Sequence, residues 1–311
     1  MNPAFSVIFL TTLIGAAQGL FIAIVAGRSF FSVTDVSFQS YSAVVCLVLL
    51  VLGLAASFFH LGRPERAWRA ASQWKTSWLS REVIALPVCM ALVFAYGLLL
   101  YAGTPASIAA SETVGKIGVV AMIVLFICTA MIYACIRFLQ EWASAWTLVN
   151  FTILGLGSGF VLACVLVSFL DPVSYPEYRK ITMLLIVCGI VTRAASIYRN
   201  SQIRHKSTVQ SAIGIKHRNI TQRSMGFTGG SFNTRAFFHH CSQRLIKNLR
   251  IFVFAFAFVF PLGFLWVCDT AAMRYFLLWI IPVQYAGLVA ERWLFFAQAN
   301  HPQNIYYQTV G

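Results

Sequence analysis

The chain has 311 residues, of which 59% are hydrophobic and only 10% charged, and its formal net charge is +14. Soluble globular domains carry roughly 25% charged residues, so the composition excludes a water-soluble enzyme and calls for lipid around the chain. Apolar runs long enough to cross a hydrocarbon core of about 30 Å recur throughout, and they lack the period-2 alternation of barrel strands. The fold class predicted is all-α, a polytopic transmembrane bundle of about eight helices forming one integral membrane domain over residues 1–311.

The first span is expected near 4–27. Met1 to Phe5 carries no basic side chain and the run is too long for a signal-peptide core, so the span is expected to stay in the mature protein. A second span is expected near 41–59, followed by a connection unlike an ordinary loop, FFHLGRPERAWRAASQWKTSWLSREV. Gly62 and Pro64 turn the chain directly after His60. From Glu65 to Trp74 the pattern suits a short amphipathic interfacial helix, with Trp68, Trp74 and Trp78 at headgroup depth and the arginines outward.

The third span is expected near 83–102, which sets Arg81 and Glu82 at its start and on the same interface as His60. A hydroquinone loses two protons as it loses two electrons, so a quinol site needs proton acceptors beside an apolar slot. His60 titrates near neutral pH and Glu82 supplies a carboxylate, while Phe58, Phe59, Trp78 and Leu79 are candidate walls. Taken alone, these residues also fit a simpler account, in which His60 caps a helix end and Glu82 pairs with Arg81 or Lys75.

Further spans are expected near 117–136, 148–170, 181–198, 251–268 and 275–296. Gly155, Gly157 and Gly159 give the fifth a small-residue run that permits close helix packing. Arg193, inside the sixth, and Arg137, ending the fourth, are functional candidates as intramembrane charges, with snorkelling toward the interface the cheaper account; Glu141 and Glu291 lie near the same end and could extend a proton path. The eight cysteines fall mostly along the spans without C-x-x-C spacing, as small apolar packing residues, and encode no iron–sulfur cluster in this chain.

Charge separates the two faces. On one, Arg28, Lys116, Arg179, Lys180 and Arg274 are cancelled by Asp35, Glu112, Asp171, Glu177 and Asp269. The other carries Arg63, Arg66, Arg69, Lys75 and Arg81, and also the long loop 199–250, with ten basic residues and no Asp or Glu. The positive-inside rule places this basic face and both termini in the cytoplasm. Loop 199–250 reads either as a solvated segment drawn to anionic lipid or as a docking platform, the latter favoured by Phe227, Phe232, Phe237 and Phe238. Charge set beside membrane spans argues against nucleic acid as a partner.

The run H-L-G-R-P-x-R-A-W-R, followed by T-S-W-L-S-R-E, resembles the membrane anchors of the dimethyl sulfoxide reductase family. The loop GIKH…GFTGGSFNTRAFFH and the tail ERWLFFAQANHPQNIYYQ extend the resemblance along the chain. It implies a menaquinol oxidation site containing His60 and Glu82; Arg63, Arg81 and Trp78, which neighbour them in the sequence, complete the candidate quinol site. It also implies two partners, a four-cluster ferredoxin-like iron–sulfur subunit and a molybdopterin catalytic subunit, at a bacterial inner membrane. Dimethyl sulfoxide and other S- or N-oxides are compatible terminal acceptors, because another chain selects them. No expected span contains an internal histidine, so a haem-free anchor is expected. A secondary transporter, or a purely structural anchor or assembly subunit, are the alternatives; the former would need paired interrupted helices, and the interruptions read here, Pro261 and Pro282, both fall in the last two spans.

Overall fold

The computed structural model describes residues 1–30, 35–59, 61–204, 208–221 and 239–302. Among them there are helices and no strands. Seven helices are long and apolar enough to cross a membrane: α1 (Phe5–Phe30), α2 (Val36–Phe58), α3 (Trp78–Ala102), α4 (Pro105–Ala134), α5 (Ala145–Leu170), α6 (Tyr175–Ser201) and α7 (Gln243–Val267). The eighth, α8, is a bent pair, Ala271–Leu277 and Ile280–Ala297, meeting at 49°. Pro282 stands in the first turn of the second part, where its missing N–H removes the bond that would carry the helix through Leu278 and Trp279. The all-α bundle expected from composition is what the chain forms.

Most helices begin earlier than the apolar runs do, and in three of them a capping hydroxyl at the edge of a long polar stretch sets the start. The Ser77 hydroxyl accepts from the Ser80 amide, so α3 starts at Trp78 rather than 83 and takes Arg81 and Glu82 into its first turns. Thr104 and Ser107 form a reciprocal capping box with Pro105 at the first helical position, starting α4 twelve residues before the predicted 117. The Ser242 hydroxyl accepts from the Leu245 amide, so α7 begins at Gln243 and claims the last basic residues of the predicted loop.

Burial identifies the centre. In α1 and α5, 72% and 67% of the apolar window is buried, against 28–39% for the other straight spans. These two helices pack through glycine: a Cβ on Gly19 would overlap the Gly155 carbonyl, and one on Gly159 would overlap the backbone of Gly19 and Leu20. The surrounding helices turn Val44, Val48 and Leu52, or Phe94 and Leu98, outward toward lipid. The start of α1, the end of α4, the start of α5 and the end of α8 share one cluster, with Ile8, Ala130, Phe151 and Phe295, so these four ends lie at one pole. At the opposite pole Arg28 donates to Ser111 (2.9 Å) and the Ile108 carbonyl (3.0 Å), while Tyr96 donates to Gln39 (2.9 Å).

Buried charge corrects one expectation. Arg193 does not snorkel: its side chain is 1% exposed and its Nε lies 3.0 Å from Oε1 of Glu291, itself 1% exposed. Arg292 approaches the other carboxylate oxygen at 3.6 Å and places its guanidinium 3.6 Å above the Phe151 ring. Glu291 is therefore an interior counter-ion joining α6 to α8, with α5 supplying the aromatic face. All eight cysteines are free; Cys46, Cys89, Cys128, Cys164 and Cys268 are buried packing residues as expected, whereas Cys135 is exposed.

Candidate functional site: an interfacial groove at the start of α3

The amphipathic segment forms, as a 3-10 helix over Pro64–Gln73. Pro64 fits its first position because no N–H is needed there, and Trp68 and Trp74 stand exposed, 71% and 55%, as headgroup-depth anchors do. Arg81 clamps this segment to α3. Its Nε donates to the Trp74 carbonyl (2.9 Å), its Nη2 donates to the Lys75 carbonyl (2.8 Å), and its guanidinium lies 4.2 Å from the centre of the Trp78 ring.

Beneath the clamp, α3 and α4 enclose an open groove of about 490 Å³. Trp74, Trp78 and Arg81 form its mouth; Ile84, Ala85 and Val88 supply one wall, and Ala121, Val124, Ile127 and Cys128 the other. Its chemistry is an aromatic rim, backed by the Arg81 guanidinium, over an apolar channel open at the bundle surface. That form suits an amphiphile with a flat ring and a hydrocarbon tail.

Glu82 is one step away. It is 7% exposed, on the inward side of α3, and its Oε1 accepts from the Thr129 hydroxyl at 2.6 Å. Thr129 follows Cys128 of the groove wall, so the carboxyl sits behind the wall rather than in it. The simpler account of Glu82 does not hold, because its partner is Thr129 while Arg81 and Lys75 engage elsewhere. Arg63 is exposed at the start of the 3-10 helix and does not reach the groove. Three of the expected walls also differ: Phe58, Phe59 and Leu79 are 43%, 87% and 51% exposed and point away, since a helix starting at Trp78 turns residues 81, 84, 85 and 88 toward α4. His60 lies outside the described residues, as do Phe227, Phe232, Phe237 and Phe238. The i, i+3, i+4, i+7 spacing from Arg81 to Val88 was the signal for the true wall; nothing local pointed to Thr129.

A multi-pass bundle with no soluble domain among the described residues, a Trp- and Arg-rimmed groove and a buried carboxyl behind it defines a polytopic membrane protein with a lipid-facing cleft at one pole. The chain belongs to the family described as DMSO reductase anchor subunit (DmsC), which matches residues 1–297. It is also 47% identical, over 325 aligned positions covering the whole of both chains, to the C subunit of the sulfite dehydrogenase of Allochromatium vinosum. An anchor of this family serves catalytic oxidoreductase subunits that it holds at the membrane.

Proposed function

We propose that this chain is the haem-free quinone-reactive anchor of a molybdopterin oxidoreductase in a bacterial inner membrane, with the basic face cytoplasmic. It passes electrons between quinone in the α3/α4 groove and an iron–sulfur partner on that face. The observation that carries the reading is the groove, whose apolar walls open to lipid beneath an aromatic, cationic rim, with a buried carboxyl one residue behind. Menaquinol seated there gives up two electrons and two protons. Glu82, with His60, takes protons, and the electrons leave through the partner to reduce dimethyl sulfoxide or a related S- or N-oxide.

The full-length similarity to a sulfite dehydrogenase anchor supports a second reading, in which the same site runs in reverse. A catalytic partner oxidises sulfite with water to sulfate, releasing two protons and two electrons, and the groove reduces quinone, with Glu82 delivering a proton rather than taking one. The family description supports the first reading and the relative the second; both use the same residues.

The test is the assembled complex in native membranes, assayed with sulfite against a quinone and with menaquinol analogue against an S-oxide. Glu82→Gln is expected to lower quinone-linked turnover at least tenfold in the operative direction. Turnover of the catalytic partner with a soluble dye should persist. Unchanged quinone-linked rates in Glu82→Gln would remove Glu82 from the site, and loss of the partners from the membrane would make it a structural residue.

A further inference from the structure

The early start of α7 has a chemical result. Arg244, Lys247 and Arg250 stand on its first turns, all exposed, and none is ion-paired with an acidic side chain among the described residues. At 3.6 residues per turn these cations share a face with Ile251, Phe254 and Ala255, farther down the same helix. There the surface is hollow: Arg250, Ile251, Phe254, Ala255 and Val259 line an open depression of about 450 Å³. Lys247 to Val259 covers about 18 Å along a helix, roughly the depth from headgroups to mid-bilayer.

The hollow follows from the backbone. Pro261 cannot donate to the carbonyl four residues earlier, and Ala255–Val259 forms a π-turn. Gly287 of α8 accepts this wider turn, since a Cβ there would overlap the backbone of Phe256 and Ala257. Ala255, a small residue between Phe254 and Val259, leaves the space open.

We propose that this face of α7 binds an anionic phospholipid, its phosphate held by Arg250 with Lys247 and Arg244 and one acyl chain lying in the hollow over Ala255. Charge complementarity selects the occupant: three cations at headgroup depth have no protein counter-ion among the described residues, and an apolar channel continues beneath them. A zwitterionic lipid satisfies only the channel, and a quinone only the channel and one donor. The site is separate from the α3/α4 groove and does not depend on the quinone reading. Juxtamembrane cations each contribute about fivefold to anionic-lipid affinity, so three together give roughly a hundredfold.

The experiment places the full-length protein in nanodiscs of phosphatidylcholine with graded phosphatidylglycerol, and counts lipids retained after detergent transfer by native mass spectrometry. The wild type should retain phosphatidylglycerol in preference to phosphatidylcholine. The triple variant Arg244→Gln/Lys247→Gln/Arg250→Gln should lose at least tenfold of that preference, and Ala255→Phe, with every cation kept, should retain fewer phospholipids of either kind. Should the triple variant not accumulate, raising ionic strength on the wild type should weaken the preference by the same mechanism. Equal retention of both lipids by the wild type, a quinone recovered in place of phospholipid, or retention unaffected by either Ala255→Phe or salt would overturn the proposal.

Discussion

Three kinds of ionisable residue occupy the interior and its border, and each is held differently. Glu82 accepts one short hydrogen bond from Thr129, Arg81 directs its donors to two backbone carbonyls, and Arg193 and Arg292 share the single buried carboxylate of Glu291. Removing one member of a buried ion pair strands the other and costs about 3–5 kcal/mol, whereas replacing both by apolar residues is often close to neutral. Glu291→Leu is therefore expected to lower the thermal midpoint of the detergent-solubilised protein sharply, and Arg193→Met/Glu291→Leu to recover part of that loss, with Arg292 left to the Phe151 ring alone. A double variant no better than the single would show that Arg193 does not depend on Glu291. The sequence made Glu82 legible through its place beside the interface, but Thr129 lies 47 residues away and only packing brings it near. Arg193 was read as snorkelling because its carboxylate partner belongs to a helix almost a hundred residues later.

Helices were legible in number and order because each must hide its backbone from lipid, and that demand writes a long apolar run. Their starts were less so, since capping hydroxyls at Ser77, Thr104 and Ser242 extend helices through polar residues that a hydropathy reading assigns to loops. The small-residue run of α5 was legible as a packing surface, but not which glycines touch. Gly159 meets the α1 backbone, whereas nothing lies within 4 Å of a Cβ on Gly157. Gly159→Ala should thus destabilise by about 2 kcal/mol or more through overpacking. Gly157→Ala should be neutral or stabilising by up to about 1 kcal/mol, through reduced backbone entropy in the unfolded chain. Thermal unfolding of both variants in one detergent checks the contrast, and similar losses in the two would show that α1 and α5 do not meet at this register.

Across the whole molecule, the two poles differ in kind. One is closed by short loops and the Arg28–Gln39–Tyr96–Ser111 network; the other gathers the 3-10 helix, the groove mouth, the start of α7 and the ends of α4 and α8. Charge counting foresaw this asymmetry, because the basic residues are unevenly distributed along the chain. The Trp- and Arg-rich connection borders the groove through Trp74, Trp78 and Arg81, while the walls depend on the pairing of α3 with α4, which no local pattern states. The groove also leaves room for a direct steric test. Val88 lines it and is 48% exposed, so Val88→Trp should fill the channel without disturbing the buried side of α3.

The central claim is that quinone reacts in this groove. The most direct measurement is the affinity of a fluorescent quinol analogue for the membrane-bound complex, comparing the wild type with Val88→Trp. The account predicts at least a tenfold weaker affinity in Val88→Trp, with the complex still assembled and active toward a soluble dye. Equal affinity in the two proteins would place the quinone elsewhere on the anchor and contradict the account.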